Sequence, residues 1–253
     1  VSNALYFGDP DAVAAARPGS EFILTGAEAR HAATVKRVTV GEMIDVADGR
    51  GRRIVGAVSR TGQDVVLDVG AVTDEPAPVC RLILVQALAK GDRDELAVEA
   101  ATELGVDAVV PWQADRSIVR WRAEKALKGQ RKWETTVFGA AKQSRRAWLP
   151  DVNPLLDSGS LARWLTGVDL ALILHEDAAV GIGSLLQSDS GGQPGLPASI
   201  AVVVGPEGGI SRQELDLFES HGAYAARLGG HVLRSSTAGP AALAVLSQLI
   251  GRW

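Results

Sequence analysis

The chain has 253 residues, of which 46% are hydrophobic and 22% charged, a net charge of -4 and a single cysteine. That is apolar material for one large core or two ordinary ones. No apolar run reaches membrane-spanning length, and Cys80 alone excludes an intramolecular disulfide, so a reducing cytoplasm is the expected setting. The chain opens without a signal-like segment, and Ser2-Asn3-Ala4 reads as a cloning remnant carrying no fold information.

In chain order, Thr25 and Glu28 have capping-box spacing and predict a short helix running toward Val38. Residues 43–47, 52–59 and 64–72 read as strands, joined by Asp48-Gly-Arg-Gly51 and Thr61-Gly62 turns. With one helix they fit a small barrel or a hairpin-rich sheet. Thr73-Asp-Glu-Pro-Ala-Pro78 mixes acids and prolines and is expected as a boundary, giving domains 1–73 and 74–253. Beyond it the rhythm changes: 82–87, 108–111, 170–174 and 200–204 are buried-type strands separated by helical stretches such as 92–104. This is the alternation of a parallel α/β sheet. Residues 188–197, rich in Ser, Gly and Pro, are expected to form a mobile surface loop.

Charge is uneven along the chain. Residues 30–60 hold seven basic against three acidic groups, residues 116–146 ten against two, and the remainder must be strongly acidic to give -4 overall. A basic face of this kind attracts a nucleic-acid backbone despite an acidic balance, with salt-dependent affinity. Residues 122–132 alone have the pattern of a solvated helix face. Trp112, Trp121, Trp133 and Trp148 lie in or beside the basic segment, and at least half are expected in the core, so the arginines and lysines are the candidate nucleic-acid contacts.

The run Ile200-Ala-Val-Val-Val-Gly-Pro-Glu-Gly-Gly-Ile-Ser211 carries most chemistry. An apolar strand ends in a glycine-rich turn, and Ser211 with Glu214 forms a capping box that starts a helix. Such a turn offers backbone amides to a ligand at the carboxyl end of a strand. Its spacing matches neither the dinucleotide fingerprint nor a P-loop. A second glycine-bearing strand exit follows the alternating segment 223–228, in Leu228-Gly-Gly-His-Val-Leu-Arg-Ser-Ser-Thr-Ala238. There Ser235, Ser236 and Thr237 offer N-caps, Pro240 suits a first helical turn, and 241–253 reads as the last helix. That helix is apolar on most sides, to be covered by the chain's own core or by a second subunit. His175-Glu176 lacks the H-E-x-x-H continuation, and the four histidines show no ligand spacing, so no metal is expected.

Together these two motifs resemble the RsmE family of ribosomal RNA uridine N3 methyltransferases, within the SPOUT superfamily. Lys90-Gly-Asp-Arg-Asp-Glu-Leu96, Ala101-Thr-Glu-Leu-Gly-Val106, Gln143-Ser-Arg-Arg146 and Leu174-His-Glu176 occur in the family's order, so the resemblance covers nearly the whole chain. It implies an α/β fold: a C-terminal SPOUT-type domain with a trefoil knot, preceded by a small PUA-like β-barrel that binds RNA. It further implies a homodimer, S-adenosylmethionine as cofactor, and 16S ribosomal RNA of the small subunit as substrate.

By the same resemblance, Leu174, His175, Glu176, Gly205, Pro206, Glu207, Gly208, Gly209, Leu228, Gly229, Val232, Leu233, Ser236, Thr237 and Ala238 are expected around the cofactor. Arg30, Lys36, Arg37, Lys142, Gln143, Arg145 and Arg146 are the expected RNA contacts. Uracil N3 bears a weakly acidic proton, so Arg234 is expected to stabilise an anionic uracil oxygen, and Glu207 to orient the loop or accept the proton. Many relatives carry an acid where this chain has Ser236, which excludes a carboxylate base there; at Lys142 relatives also often carry an acid. The alternatives are a SPOUT enzyme acting on ribose 2′-hydroxyl or another base, and a non-catalytic ribosome-assembly RNA-binding protein.

Overall fold

The structure, a computed structural model, describes residues 3–188 and 196–253. The expected loop at 188–197 falls largely outside them. The chain divides into two compact units, 1–77 with 138–149 and 78–137 with 150–253.

The first unit contains β1 (Ala4–Phe7), α1 (Pro10–Ala15), β2 (Glu21–Leu24), α2 (Gly26–Arg30) with a π-helical turn over His31–Lys36, β3 (Met43–Ala47), β4 (Arg52–Thr61) and β5 (Val65–Asp74). The strands form one mixed sheet in the order β1-β3-β4-β5-β2, with β1 parallel to β3 and the other pairs antiparallel. Inward residues of alternating strands, among them Ile44, Val46, Ile54, Val65 and Leu67, fill its core. Ala4 opens β1, and Asn3 Nδ2 donates to Asp45 Oδ1 at 2.8 Å, so this opening stretch carries fold information after all. The Thr25–Glu28 capping box does not form. Thr25 makes no side-chain cap, because the Glu28 carboxylate accepts instead from the Phe7 amide at 3.1 Å and from Lys142 Nζ at 2.8 Å. The helix ends at Arg37, whose φ of 54° is left-handed.

The second unit contains β6 (Arg81–Ala87), α3 (Arg93–Glu103), β7 (Ala108–Gln113), α4 (Glu124–Gln143, its last residues counted with the first unit), β8 (Asp151–Val152), β9 (Leu156–Asp157) and α5 (Ser158–Leu165). β10 (Leu170–Leu174), α6 (Ile182–Ser188), β11 (Ser199–Val204), α7 (Arg212–Ser220), β12 (Tyr224–Ala226) and α8 (Ser235–Leu249) complete it. Its strands pair in parallel in the order β12-β10-β11-β6-β7-β8, with β9 also on β7. Ile83, Val85, Val110 and Trp112 pack on one face against Leu161, Leu165, Leu215 and Phe218 of α5 and α7. The other face lies under α3 and α8, where Gly239 sits so close that a Cβ would stand 2.7 Å from Leu84. Burial on both faces explains why these strands are apolar throughout.

Two expectations are corrected here. The last helix spans Ser235–Leu249 rather than 241–253: Arg234 is its N-cap residue, with its carbonyl accepting from the Thr237 and Ala238 amides at 2.8 and 2.9 Å. Ser235, Ser236 and Thr237 therefore form the first turn, and Pro240 falls inside the helix. At the other end Gly251, with φ of 71°, and the Arg252 amide on the Ser247 carbonyl at 2.8 Å close a Schellman motif. Segment 138–149, read as part of the second domain, belongs to the first unit because Phe138, Ala141, Ala147 and Leu149 pack with Leu5, Phe7 and Ala47.

Candidate active site

The carboxyl ends of β10, β11 and β12 open onto a cleft of about 650 Å³ in the second unit. From β11 the chain enters Gly205, where a Cβ would lie 2.7 Å from Ile210 Cγ1; no side chain fits without moving that packing. Gly209 adopts φ of 72°, and its amide donates to the Pro206 carbonyl at 2.9 Å. Behind the turn the capping box forms as expected: Ser211 accepts from the Glu214 amide, and Glu214 Oε2 accepts from the Ser211 amide at 3.0 Å. Glu214 is 2% exposed, and its Oε1 also takes the Asp115 amide at 2.8 Å and Ser158 Oγ at 2.7 Å. One buried carboxylate thus fixes the glycine turn to the exit of β7 and the start of α5.

In front of the turn, Glu207 Oε1 accepts from the Lys90 amide at 3.2 Å and from Arg93 Nη1 at 2.9 Å. Arg116 Nη1 donates to the Gly208 carbonyl at 3.1 Å. At the end of β10 the His175 amide donates to the Ala226 carbonyl at 3.0 Å, and the Asp177 amide donates to His175 Nδ1 at 3.2 Å. This leaves the imidazole proton of neutral His175 on Nε2. After β12, Val232 and Leu233 are exposed apolar residues, whereas Ser235 is buried, lines the cleft and has no partner for its Oγ among the described residues. Arg234 is exposed, and among the described residues its guanidinium makes no ion pair.

Of the residues expected around a cofactor, Leu174, His175, Glu176, Gly205, Pro206, Glu207, Gly208, Gly209, Leu228, Gly229, Val232, Leu233 and Ala238 line this cleft, together with Arg234. Ser236 and Thr237 do not; in the first turn of α8 it is Ser235 and Ala238 that line it. Arg93, Arg116, Asp177, Arg227, His231 and Ser235 line it and escape sequence reading. Arg93 lies within Lys90-Gly-Asp-Arg, Arg116 opens the basic segment 116–146, and Arg227, His231 and Ser235 belong to or adjoin the second glycine motif, whereas Asp177 carried no signal. Their place in the cleft was not legible, because it depends on how the strand exits are brought together.

The seven expected RNA contacts all belong to the first unit. Arg30, Lys36, Arg37, Gln143 and Arg145 are exposed, and Arg146 is half-buried. Lys142 is different: its side chain is 12% exposed, bound to Glu28 at 2.8 Å and 3.2 Å from His31 Nδ1. It is an internal cation of this unit rather than a surface one. Trp112 and Trp133 are fully buried, Trp121 packs edge-on to Trp133 at 5.7 Å, and Trp148 Nε1 donates to the Glu75 carbonyl at 3.0 Å. Among the described residues, no group of three His, Cys, Asp or Glu side chains is placed to hold a metal ion.

Known families fit both units. An RNA methyltransferase domain profile matches residues 75–247, and an RNA methyltransferase PUA domain profile matches residues 24–66. The class is therefore an RNA methyltransferase domain preceded by a PUA domain. The chain is 39% identical to the ribosomal RNA small subunit methyltransferase E of Mycobacterium bovis, over 93% of this chain and 89% of that one. It superposes with a TM-score of 0.83 on the ribosomal RNA small subunit methyltransferase E of Neisseria gonorrhoeae bound to S-adenosyl methionine, at 26% identity and with 98% of each chain covered. A Legionella pneumophila chain in complex with the bound cofactor SAM gives the same TM-score at 27% identity, again over 98% of each. The chain belongs to the ribosomal RNA small subunit methyltransferase E family.

Proposed function

We propose that this protein transfers a methyl group from S-adenosylmethionine to N3 of a uridine in 16S ribosomal RNA of the small subunit. The observation that carries the reading is the cleft itself, where a clash-limited glycine turn meets a buried Ser235 Oγ and an Arg234 that, among the described residues, have no hydrogen-bond partner and no ion pair respectively, at the exits of three adjacent strands. The donor set fits the cofactor. Loop amides and Ser235 Oγ suit its polar edges, Val232 and Leu233 its adenine, and Glu176 and Asp177 its positive charge. Bound there, S-adenosylmethionine supplies an electrophilic methyl group on a sulfonium.

The residues of the chain supply position and electrostatics. Gly205 and Gly209 shape the wall, and Glu207, occupied by the Lys90 amide and Arg93, holds that wall rather than accepting a proton. Arg234 projects from the N-cap of α8 and stabilises the negative oxygen that develops when uracil gives up its N3 proton to solvent water. Of the expected RNA contacts, the exposed Arg30, Lys36, Arg37, Gln143 and Arg145, with Arg146, carry the RNA on the first unit, and Lys142 leaves the set. The trefoil knot, the homodimer and a cytoplasmic location belong to the same proposal. The family resemblance carries the knot, and the exposed Val245, Leu249 and Trp253 support the dimer.

Mass mapping of nucleosides after reaction with small ribosomal subunits tests the activity: 3-methyluridine is expected, and a methyl found only on ribose or on another base overturns it. In the same assay Arg234→Ala is expected to lower kcat by about 10²-fold or more while S-adenosylmethionine affinity by calorimetry stays within a few fold.

A further inference from the structure

The residues assigned above to the methyl donor leave β10, β11 and β12, but the sheet continues past β11 to β6 and β7. At that end the cleft is lined by Arg93, at the start of α3, and Arg116, just after β7. Arg93 is neutralised by Glu207. Arg116 is exposed and donates to a neutral carbonyl, that of Gly208, and among the described residues it makes no ion pair, so its charge is left uncompensated.

The segment that follows is pinned in place. The Ser117 amide donates to the Ala114 carbonyl at 3.1 Å, Arg120 to the Asp115 carbonyl at 2.6 Å, and the Trp121 amide to Gln113 Oε1 at 2.9 Å. It delivers the chain into α4, which buries Trp133 and Val137 and turns Lys125, Lys128 and Arg131 to solvent. Among the described residues these three and Arg122 make no ion pair, whereas Lys132 is tied to Glu95 and Asp92. Steps of three residues advance about 4.5 Å along a helix, which lets long side chains follow successive phosphates of a strand. A solvated helix face, the reading of 122–132 in isolation, carries interspersed acids; this row carries none between Lys125 and Arg131, and the adjoining Lys132 is bound to Asp92 and Glu95, close in sequence to the cleft-lining Arg93.

We infer that the RNA strand approaches the cleft across its β6–β7 end, with Arg116 positioning the phosphate beside the target nucleotide and Lys125, Lys128 and Arg131 holding the phosphates that follow. The inference rests on the methyltransferase reading above and divides the cleft: donor over β12, β10 and β11, acceptor strand over β6 and β7. Arg116 is a positioning residue, not a catalytic one.

Two variants test it, Arg116→Gln and the triple Lys125→Gln/Lys128→Gln/Arg131→Gln, each titrated with transcribed 16S ribosomal RNA from 50 to 200 mM NaCl. The triple variant is expected to bind RNA at least tenfold more weakly at 100 mM NaCl. Its plot of log affinity against log salt should be shallower by about 2 to 3, from roughly 0.7 to 0.9 per lost phosphate contact. S-adenosylmethionine affinity by calorimetry should stay within twofold. Arg116→Gln is expected to raise the KM for RNA and lower kcat/KM, with Arg116→Lys restoring part of the loss. Unchanged RNA affinity and salt slope in the triple variant overturn the inference, as does loss of donor affinity in step with RNA. Equally strong binding of poly-glutamate by the wild type also overturns it, since the surface would then serve an acidic protein. If the wild type binds RNA with the steep slope but methylates none, the functional proposal fails and the path stands.

Discussion

Two carboxylates act on adjacent amides of the loop between β6 and α3 in opposite surroundings. Glu207, reaching over from the glycine turn, accepts from the Lys90 amide and Arg93 at the surface. Asp94, 5% exposed, is held from inside by the amides of Glu95 and Ala89, yet burial pushes its carboxyl up to about 6. A folded-state value above the ordinary 3.8 means the native protein holds an extra proton between these pH values. Its contribution is therefore fully present below about pH 4 and is lost as pH rises through about 6, amounting to about 2–3 kcal/mol. Urea unfolding of wild type and Asp94→Asn at pH 4 and pH 7.5 checks this: wild-type stability relative to the variant should fall by that amount at the higher pH. Lys90-Gly-Asp-Arg was visible as a motif in the sequence. Its work was not, because Glu207 reaches it only after the sheet has brought β11 beside β6.

At the scale of elements, α4 shows how a tryptophan beside a basic run is absorbed into structure. A Cβ on Gly129 would stand 2.4 Å from the Trp121 ring, so that ring lies directly on the helix backbone and edge-on to Trp133. Alanine is the better helix former by about 1 kcal/mol, but displacing an indole from a packed site costs about 1–3 kcal/mol. Gly129→Ala should therefore destabilise the protein by about 1 kcal/mol, measured by denaturant unfolding, and shift the tryptophan emission to longer wavelength. Strands β3 and β10 were legible to their end residues, since alternation or unbroken apolarity stops where they stop. The start of α8 was not: Ser235, Ser236 and Thr237 suit an N-cap, and only the bonds to the Arg234 carbonyl make them the first turn instead. The short β1 and β2, four residues each, left no periodic signal.

Across the whole molecule, periodicity marks which segments are strands but not which strands are neighbours. The order β12-β10-β11-β6-β7, which assembles the cleft, therefore emerges only on folding. The transfer of 138–149 to the first unit was hidden for the same reason, since it depends on Phe138 meeting Phe7. The C-terminus shows a further long-range tie: Arg252 donates to the Gly105 carbonyl and to Asp107 Oδ2, each at 2.6 Å, and that same oxygen accepts from the Leu82 amide at 2.8 Å. With side chains 22% and 9% exposed, this pair joins the end of α8 to the starts of β6 and β7. Arg252→Ala removes this ion pair and the bond to the Gly105 carbonyl and is expected to cost about 1–3 kcal/mol in urea unfolding, with faster amide exchange concentrated at the end of α8. Glu214 behind the glycine turn and Glu207 in front of it have a different consequence. Both sets of bonds are intramolecular, so the conformational freedom of this loop is lost during folding rather than at the moment a ligand arrives. The wall is preorganised, and affinity there is set by contact instead of being eroded by ordering.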